Sequence, residues 1–153
     1  MPCGTFGSTL KSNSSPMVFI AGGIGITPLM SMLETQIMFK STNEIIFVHC
    51  VKTEAEHTFA QKVEKMAEKN SNLTSYAFYS RSNGKIIDDL KSTKIFHKRF
   101  QLEDLHEIIG SLIESEFYIC GPESFLKYVL ASLEKMNISK NKIFYEYFGP
   151  QLQ

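Results

Sequence analysis

The residues of this sequence best suited to hold a ligand form a glycine-rich segment that follows a short apolar run. Glycine allows the backbone to turn sharply and to approach a ligand closely. A helix that begins just beyond a buried strand presents unpaired backbone N–H groups and the positive end of its dipole, which suit a phosphate. The segment therefore predicts a loop that binds a pyrophosphate. It consists of Gly22, Gly23, Ile24, Gly25, Ile26, Thr27 and Pro28.

This glycine loop differs from the usual dinucleotide-binding fingerprint, because Thr27 and Pro28 stand where a third glycine is expected. We expect Thr27 to cap the following helix and Pro28 to occupy its first position. The alternative interpretation is a plain glycine turn in an α/β protein that binds no nucleotide. Residues elsewhere in the chain must decide between a pyrophosphate-binding loop and a plain turn.

Polar and reactive side chains also follow three later strand-like segments. In a parallel sheet, ligands bind beyond the carboxyl ends of the strands, where such side chains meet. Together with the glycine loop, these residues predict a site more specifically than any one of them alone. They are Ser80 and Arg81 after the third strand, Cys120, Gly121 and Pro122 after the fourth, and Glu146, Tyr147, Phe148, Gly149 and Pro150 at the fifth.

Each candidate side chain also has an ordinary structural interpretation. A cysteine such as Cys120, at the end of a buried strand, is more often a small core residue than a catalytic one. Glu146 could be an exposed strand residue, and Phe148 a core residue. The histidines lack the spacing of metal ligands, so we expect no metal site and place them on surfaces or in hydrogen bonds. They are His49, His57, His97 and His106.

The elements that position these residues are predicted from the apolar pattern. Buried strands are expected over residues 17–21, 45–48, 73–79, 116–120 and 143–148. Helices are expected behind the glycine loop, over residues 54–69 and 102–112, and from Pro122 to a left-handed end at Asn137. This order predicts an α/β fold, with a doubly wound parallel sheet of about five strands in the order 3-2-1-4-5.

Residues 85–101 have the weakest pattern and could hold a short extra strand or helix. The charged side chains of this segment are interpreted as exposed charge and not as a site. They are Lys94, His97, Lys98 and Arg99. The charges over residues 54–69 are likewise interpreted as the solvated face of an amphipathic helix.

Length and composition limit the classes of protein to consider. The chain has 153 residues, 43% of them hydrophobic and 21% charged, which is typical of one globular domain. Its 16 basic and 16 acidic residues cancel, so a nucleic-acid partner is not expected. We expect no membrane span and no signal peptide. Three widely spaced cysteines favour reduced thiols in the cytoplasm.

These motifs together resemble the NAD(P)H-binding domain of the ferredoxin–NADP reductase superfamily, with the greatest likeness to the reductase part of flavohaemoglobins. The matching elements are residues 4–6, the glycine loop, the Ser80-Arg81 pair, and residues 118–122 and 145–150. The resemblance implies that residues 17–153 are the NAD(P)H-binding domain. Residues 1–16 are then a linker or a remnant of a flavin-binding barrel.

The resemblance implies an oxidoreductase that passes a hydride from NAD(P)H to FAD and then electrons to a haem or iron–sulfur acceptor. It places the pyrophosphate on residues 22–28. Cys120 and Gly121, followed by Pro122, would lie beside the reacting nicotinamide carbon. We expect NADPH to be accepted, alongside NADH, because Ser80 and Arg81 resemble the pair that receives a 2′-phosphate. The nearest carboxylate after the second strand is that of Glu54.

The same likeness assigns the fifth strand end to the flavin. Glu146 would tune the flavin and Phe148 would cover its ring, with Tyr147, Gly149 and Pro150 as further contacts. The family's flavin-binding barrel normally precedes this domain, and its Arg-x-Tyr-Ser-like motif does not occur here. We therefore expect the barrel to lie elsewhere in a longer protein or on another polypeptide, and this chain to be inactive alone.

Two other classes of protein remain as alternatives. The first is a catalytically silent binding module that kept the fold, and it would bind no pyridine nucleotide. The second is another phosphate-binding α/β enzyme, such as a flavodoxin-like or methyltransferase domain. The sequence Cys120-Gly121-Pro122 argues against the second, because those folds do not need it.

Overall fold

Strands and helices alternate along the chain, as expected for an α/β fold. The computed structural model describes residues 15–81, 90–109 and 113–147. The strands in these ranges are β1 (Met17–Gly22), β2 (Ile45–Val51), β3 (Leu73–Tyr79), β4 (Thr93–Phe96), β5 (Glu116–Gly121) and β6 (Ile143–Tyr147). The helices are α1 (Ile26–Met38), α2 (Ala60–Lys69), α3 (Leu102–Ile109) and α4 (Glu123–Lys135).

The strands form one six-stranded sheet in the order β4-β3-β2-β1-β5-β6, and all neighbours are parallel. The five expected strands take the predicted order, which confirms the fold class. Strand β4 is an additional edge strand from the weakly patterned segment. The chain builds the sheet outward from β1 to β4 and then crosses to β5. The carboxyl ends of β1 and β5 therefore form the switch point at which such sheets bind ligands.

The central strands are buried on both faces, because helices cover both sides of the sheet. Val18, Phe19 and Ile20 are completely buried and point alternately to opposite faces. Phe19 packs with Leu33 of α1, whereas Val18 and Ile20 pack in a second cluster with Val129 of α4. This two-sided burial explains why the strands are continuous apolar runs in the sequence.

Helix α1 begins earlier than predicted. A single 3₁₀ turn, Gly23–Gly25, runs directly into the helix, and Gly25 occupies the N-cap without any side-chain hydrogen bond. The expectation that Thr27 caps the helix and that Pro28 is its first residue is therefore wrong. Pro28 is the third helical residue, where its missing N–H costs no intrahelical hydrogen bond.

Residues 54–69 form a short 3₁₀ turn, Glu54–Glu56, and a separate helix α2, whereas the sequence pattern predicts one helix. Phe59 interrupts it with a left-handed backbone conformation, φ 65°. The charged face is also not wholly solvated. Glu64 is buried, and its carboxylate accepts hydrogen bonds from the Ser92 N–H at 2.6 Å and the Thr93 hydroxyl at 2.9 Å. Helix α2 thereby fixes the edge strand β4.

Helix α4 has the ends that the sequence predicts. Pro122 lies at its N-cap, and Asn137 adopts the expected left-handed conformation, with φ 61°, just after the helix. Across the described ranges, no helix is long and apolar enough to cross a bilayer.

Candidate functional site

A cavity of about 450 Å³ opens at the carboxyl edge of the sheet and reaches the switch point. The ends of β1, β2 and β3 form one side of this main cavity. The segment before α3 and the first turns of α4 form the other. The lining residues are Gly22, Gly23, Cys50, Val51, Lys52, Glu56, Phe78, Ser80, Arg81, Arg99, Phe100, Pro122, Ser124, Phe125 and Tyr128.

The three glycines of the loop have different physical reasons to be glycine. A Cβ atom on Gly22 would lie 2.6 Å from the Phe125 ring, and one on Gly25 would lie 2.5 Å from the Cys120 carbonyl oxygen. Gly23 instead has a left-handed φ of +55°, and a Cβ there would meet nothing within 4 Å. Gly22 and Gly25 therefore allow close packing, whereas Gly23 leaves open space on the cavity wall for a ligand.

The switch point is closed from the α4 side by the Phe125 ring. A Cβ atom on Gly121 would lie 2.7 Å from that ring and 3.3 Å from the Gly22 backbone. The ends of β1 and β5 can approach each other and the Phe125 ring only because Gly22 and Gly121 lack side chains. Pro122 thus lines the cavity, and Gly121 packs against the Gly22 backbone beside the glycine loop.

Three cationic residues, Lys52, Arg81 and Arg99, line the main cavity. The Ser80 N–H donates to the Val51 carbonyl at 3.0 Å, and the Arg81 N–H donates to the Lys52 carbonyl at 2.7 Å. These two backbone hydrogen bonds hold Arg81 beside Lys52. Arg99 lines the same cavity from the segment before α3. The arrangement suits a phosphate group.

The position of Arg99 differs from the sequence interpretation, which treated its segment as exposed charge without a site. Its neighbours do behave as expected, because Lys94, His97 and Lys98 are exposed and do not line the cavity. Lys98 is paired with Asp104 at 2.6 Å. The other Asp104 oxygen accepts a hydrogen bond from the Gln101 N–H at 2.8 Å, which anchors the start of α3 next to Arg99.

Sequence reasoning missed several lining residues. The carboxylate on the cavity wall after β2 belongs to Glu56, and not to Glu54, which is nearer to the strand in the sequence. The aromatic side chains of Phe78, Phe100, Phe125 and Tyr128 form an apolar wall suited to a nucleobase, in which the Phe78 and Phe100 rings meet edge to face at 74°. Helical spacing could have placed Tyr128 near Ser124, but nothing local in the sequence indicates Phe100 or Lys52.

Two of the predicted catalytic residues, Cys120 on β5 and Glu146 on β6, do not line the main cavity. Cys120 is completely buried and packs in the core cluster that contains Ala21 and Ile26. Glu146 is 7% exposed, and one of its carboxylate oxygens has no hydrogen-bond partner in the described part of the chain. Tyr147 is exposed opposite Gly121. Their catalytic and flavin-contacting roles stay predictions.

The remaining candidate residues are placed as follows. Ile24 is 60% exposed and Ile26 is buried, while Thr27 faces solvent at the start of α1. Pro28 is half-buried. Three further candidates lie outside the described residues: Phe148, Gly149 and Pro150.

A buried and a half-buried histidine, His49 and His57, form an array behind the glycine loop, which confirms the expectation of hydrogen bonds. His49 is 1% exposed, and its Nε2 donates to the Gly23 carbonyl oxygen at 2.9 Å. The His57 ring stacks edge-on against His49 at 5.4 Å, and a 2.7 Å hydrogen bond joins its Nδ1 to the Tyr79 hydroxyl. His106, also as expected, is exposed.

The histidine array predicts a loss of stability in mild acid. Burial lowers the pKa of His49 to about 4, and burial together with His49 lowers the pKa of His57 to about 4. Between pH 6.5 and 4 the unfolded chain therefore binds more protons than the folded one, so stability falls as the pH falls. For His49 alone we expect a loss of about 2 kcal/mol between about pH 7.5 and pH 5.

Urea denaturation across that pH range measures the effect. His49→Gln removes one titrating group and should flatten the profile. An equally steep profile in the His49→Gln variant would contradict the prediction.

The family model described as the oxidoreductase NAD-binding domain matches residues 19–130 of this chain. A flavohemoprotein of Bacillus cereus is 36% identical over 151 residues, which cover 97% of this chain and 36% of that protein. The chain thus spans about a third of the length of this curated relative.

Solved structures of related proteins share the fold. The flavohem-like FAD/NAD-binding domain of nitric oxide dioxygenase from Vibrio cholerae superposes with a TM-score of 0.74 and 27% identity, over 92% of this chain and 54% of that one. A flavohemoglobin from Malassezia yamatoensis, solved with bound FAD and heme, superposes with a TM-score of 0.71 and 24% identity, over 93% of this chain and 34% of that one.

Proposed function

Because the chain belongs to the oxidoreductase NAD-binding domain family, we propose that it binds NAD(P)H and forms the reductase end of a flavin-dependent protein of flavohaemoglobin type. The observation that carries the proposal is the main cavity, in which the open side of Gly23 and three cations lie along one groove at the switch point. A dinucleotide needs this combination of a close backbone approach and separated anion sites.

The described residues fit the parts of the coenzyme in turn. The glycine loop, residues 22–28, would hold the pyrophosphate at the N-terminus of α1, where the positive end of the helix dipole lies. The aromatic wall with Phe100 and Tyr128 would cover the adenine. Ser80 and Arg81 would hold the 2′-phosphate of NADPH.

The nicotinamide end would lie at the ends of β5 and β6. When bound, NAD(P)H supplies a hydride and FAD accepts it. Cys120, with Gly121, would shape the nicotinamide side of the site. The buried Glu146 oxygen without a described partner supports a role for that carboxylate toward a group from outside this chain. Phe148 is retained as the residue that covers the flavin ring.

The proposed partners follow from the relatives. The flavohemoprotein and flavohemoglobin relatives are about three times as long as this chain. The Malassezia protein holds both FAD and heme. We assign to this chain a flavin-binding barrel as the partner that holds FAD, and a haem or iron–sulfur centre as the electron acceptor. We also assign it to the cytoplasm, because three widely spaced cysteines favour reduced thiols.

Titration calorimetry of the 153-residue chain with NADH and NADPH tests the proposal. We expect dissociation constants on the order of 10–100 μM, because we assign the flavin side of the nicotinamide pocket to the flavin-binding barrel. We also expect a colourless preparation without diaphorase activity. A matching flavin domain added in trans should restore hydride transfer in proportion to its concentration.

Inorganic phosphate at the same ionic strength is the control for non-specific anion binding. No heat with either nucleotide would overturn the proposal and favour the silent binding module. A yellow preparation with stoichiometric FAD would show that the flavin site lies within this chain.

A further inference from the structure

His49 supports the glycine loop from the side opposite to the main cavity. Its neighbour Cys50 lines the cavity, and successive residues of a strand point to opposite faces, so the imidazole projects toward α1. There it reaches the Gly23 carbonyl oxygen at 2.9 Å. Because His49 is 1% exposed and does not line the cavity, it cannot touch a ligand bound there.

This hydrogen bond determines the direction of one peptide group in the loop. A trans peptide is planar, so its N–H points opposite to its carbonyl oxygen. With the Gly23 oxygen held by His49, the N–H of Ile24 points away from the histidine, toward the open side of the loop. Gly23 has no side chain and a φ of +55°, and the peptide belongs to the 3₁₀ turn Gly23–Gly25. The hydrogen bond from His49 adds a side-chain contact that holds the peptide in the orientation of this turn. A rotated peptide would turn its carbonyl oxygen toward an incoming phosphate and repel it.

The hydrogen bonding of the imidazole indicates that the role of His49 is its contact with the Gly23 carbonyl oxygen. A carbonyl oxygen only accepts, so Nε2 carries the proton and Nδ1 is left as an acceptor. Nδ1 is buried and has no hydrogen-bond partner among the described residues. If this position only had to fill the core, an apolar side chain would serve it without the cost of a buried nitrogen that lacks a hydrogen bond. What the histidine offers and an apolar residue lacks is the Nε2–H group that donates a hydrogen bond to the Gly23 carbonyl oxygen.

Two further side chains hold the imidazole in this orientation. His57 packs edge-on against it, with ring planes at 67°, and is itself hydrogen-bonded to the Tyr79 hydroxyl. Tyr79 is completely buried at the end of β3. The array therefore connects the β3 end of the sheet to the glycine loop.

We propose that His49 is a positioning residue that orients the Gly23–Ile24 peptide and thereby sets the affinity of the glycine loop for a diphosphate. The inference rests on the proposed function, because it requires that the loop binds the pyrophosphate of NAD(P)H. In this role His49 contacts no ligand and acts through the backbone of the glycine loop.

The test compares two ligands by calorimetry, NADP⁺ and adenosine 2′-monophosphate, which shares the 2′-phosphate end but lacks the diphosphate. The variants are His49→Gln, whose amide N–H reaches nearly as far as Nε2, and His49→Asn, whose amide is too short. For His49→Asn we expect NADP⁺ to bind about tenfold more weakly, with adenosine 2′-monophosphate changed less than about twofold. His49→Gln should stay within about threefold of the wild type for both.

The outcomes separate this inference from the proposed function. If the wild type binds neither ligand, the proposed function fails and the inference with it. If the wild type binds NADP⁺ and His49→Asn binds it equally well, only the positioning role is wrong. Equal losses for both ligands, or no rescue by glutamine, would show a purely structural role. If His49→Asn does not fold, Tyr79→Phe replaces it, and unchanged NADP⁺ affinity there would overturn the inference.

Discussion

Replacement of Arg81 by alanine is expected to lower the affinity of this chain for NADPH by about 30-fold and to leave its affinity for NADH within about threefold. Arg81 lines the main cavity beside Lys52, in the segment that follows β3. Only NADPH carries a phosphate there, and a charge-assisted pair with phosphate is worth about 2 kcal/mol. Calorimetric titration with both coenzymes measures the difference.

A matched control separates this local effect from the change in net charge. Lys127→Ala removes the same charge from α4, where the lysine pairs with Glu123 at 3.3 Å and does not line the cavity. That variant should bind both coenzymes as the wild type does. An equal loss of NADH and NADPH in the Arg81→Ala variant would remove Arg81 from the 2′-phosphate site.

Replacement of Gly25 by alanine is expected to destabilise the fold by about 3 kcal/mol. The added methyl group would lie 2.5 Å from the carbonyl oxygen and 2.6 Å from the carbonyl carbon of Cys120. These are backbone atoms of a central strand, so no side chain can move aside. The backbone conformation of Gly25 suits alanine, with φ of −63°, and the loss therefore reports the clash alone. Urea denaturation at neutral pH measures it.

Gly23→Ala is the matched control within the same loop. A methyl group there would meet nothing within 4 Å, and only the left-handed φ of +55° opposes it, at a cost of about 1 kcal/mol. The order of stability should therefore be wild type, Gly23→Ala, then Gly25→Ala. If Gly25→Ala were as stable as the wild type, the close packing of the loop against β5 would be wrong.

The sequence by itself determined the fold class, the order of five strands and the position of the glycine loop. These features depend on residues that are adjacent in the chain. A run such as residues 17–21 must be buried wherever it lies, because every one of its side chains is apolar. Asn137 ends α4 for an equally local reason, since it tolerates a left-handed backbone.

Only the tertiary structure decided which distant residues share the site. Strand β4 depends on the buried Glu64, which lies 29 residues before Thr93 and had been interpreted as part of a solvated face. Arg99 reaches the main cavity because the edge strand and the start of α3 place it there. His49 meets Gly23 across 26 residues. Such contacts are set by strand register and helix packing, which no local pattern encodes.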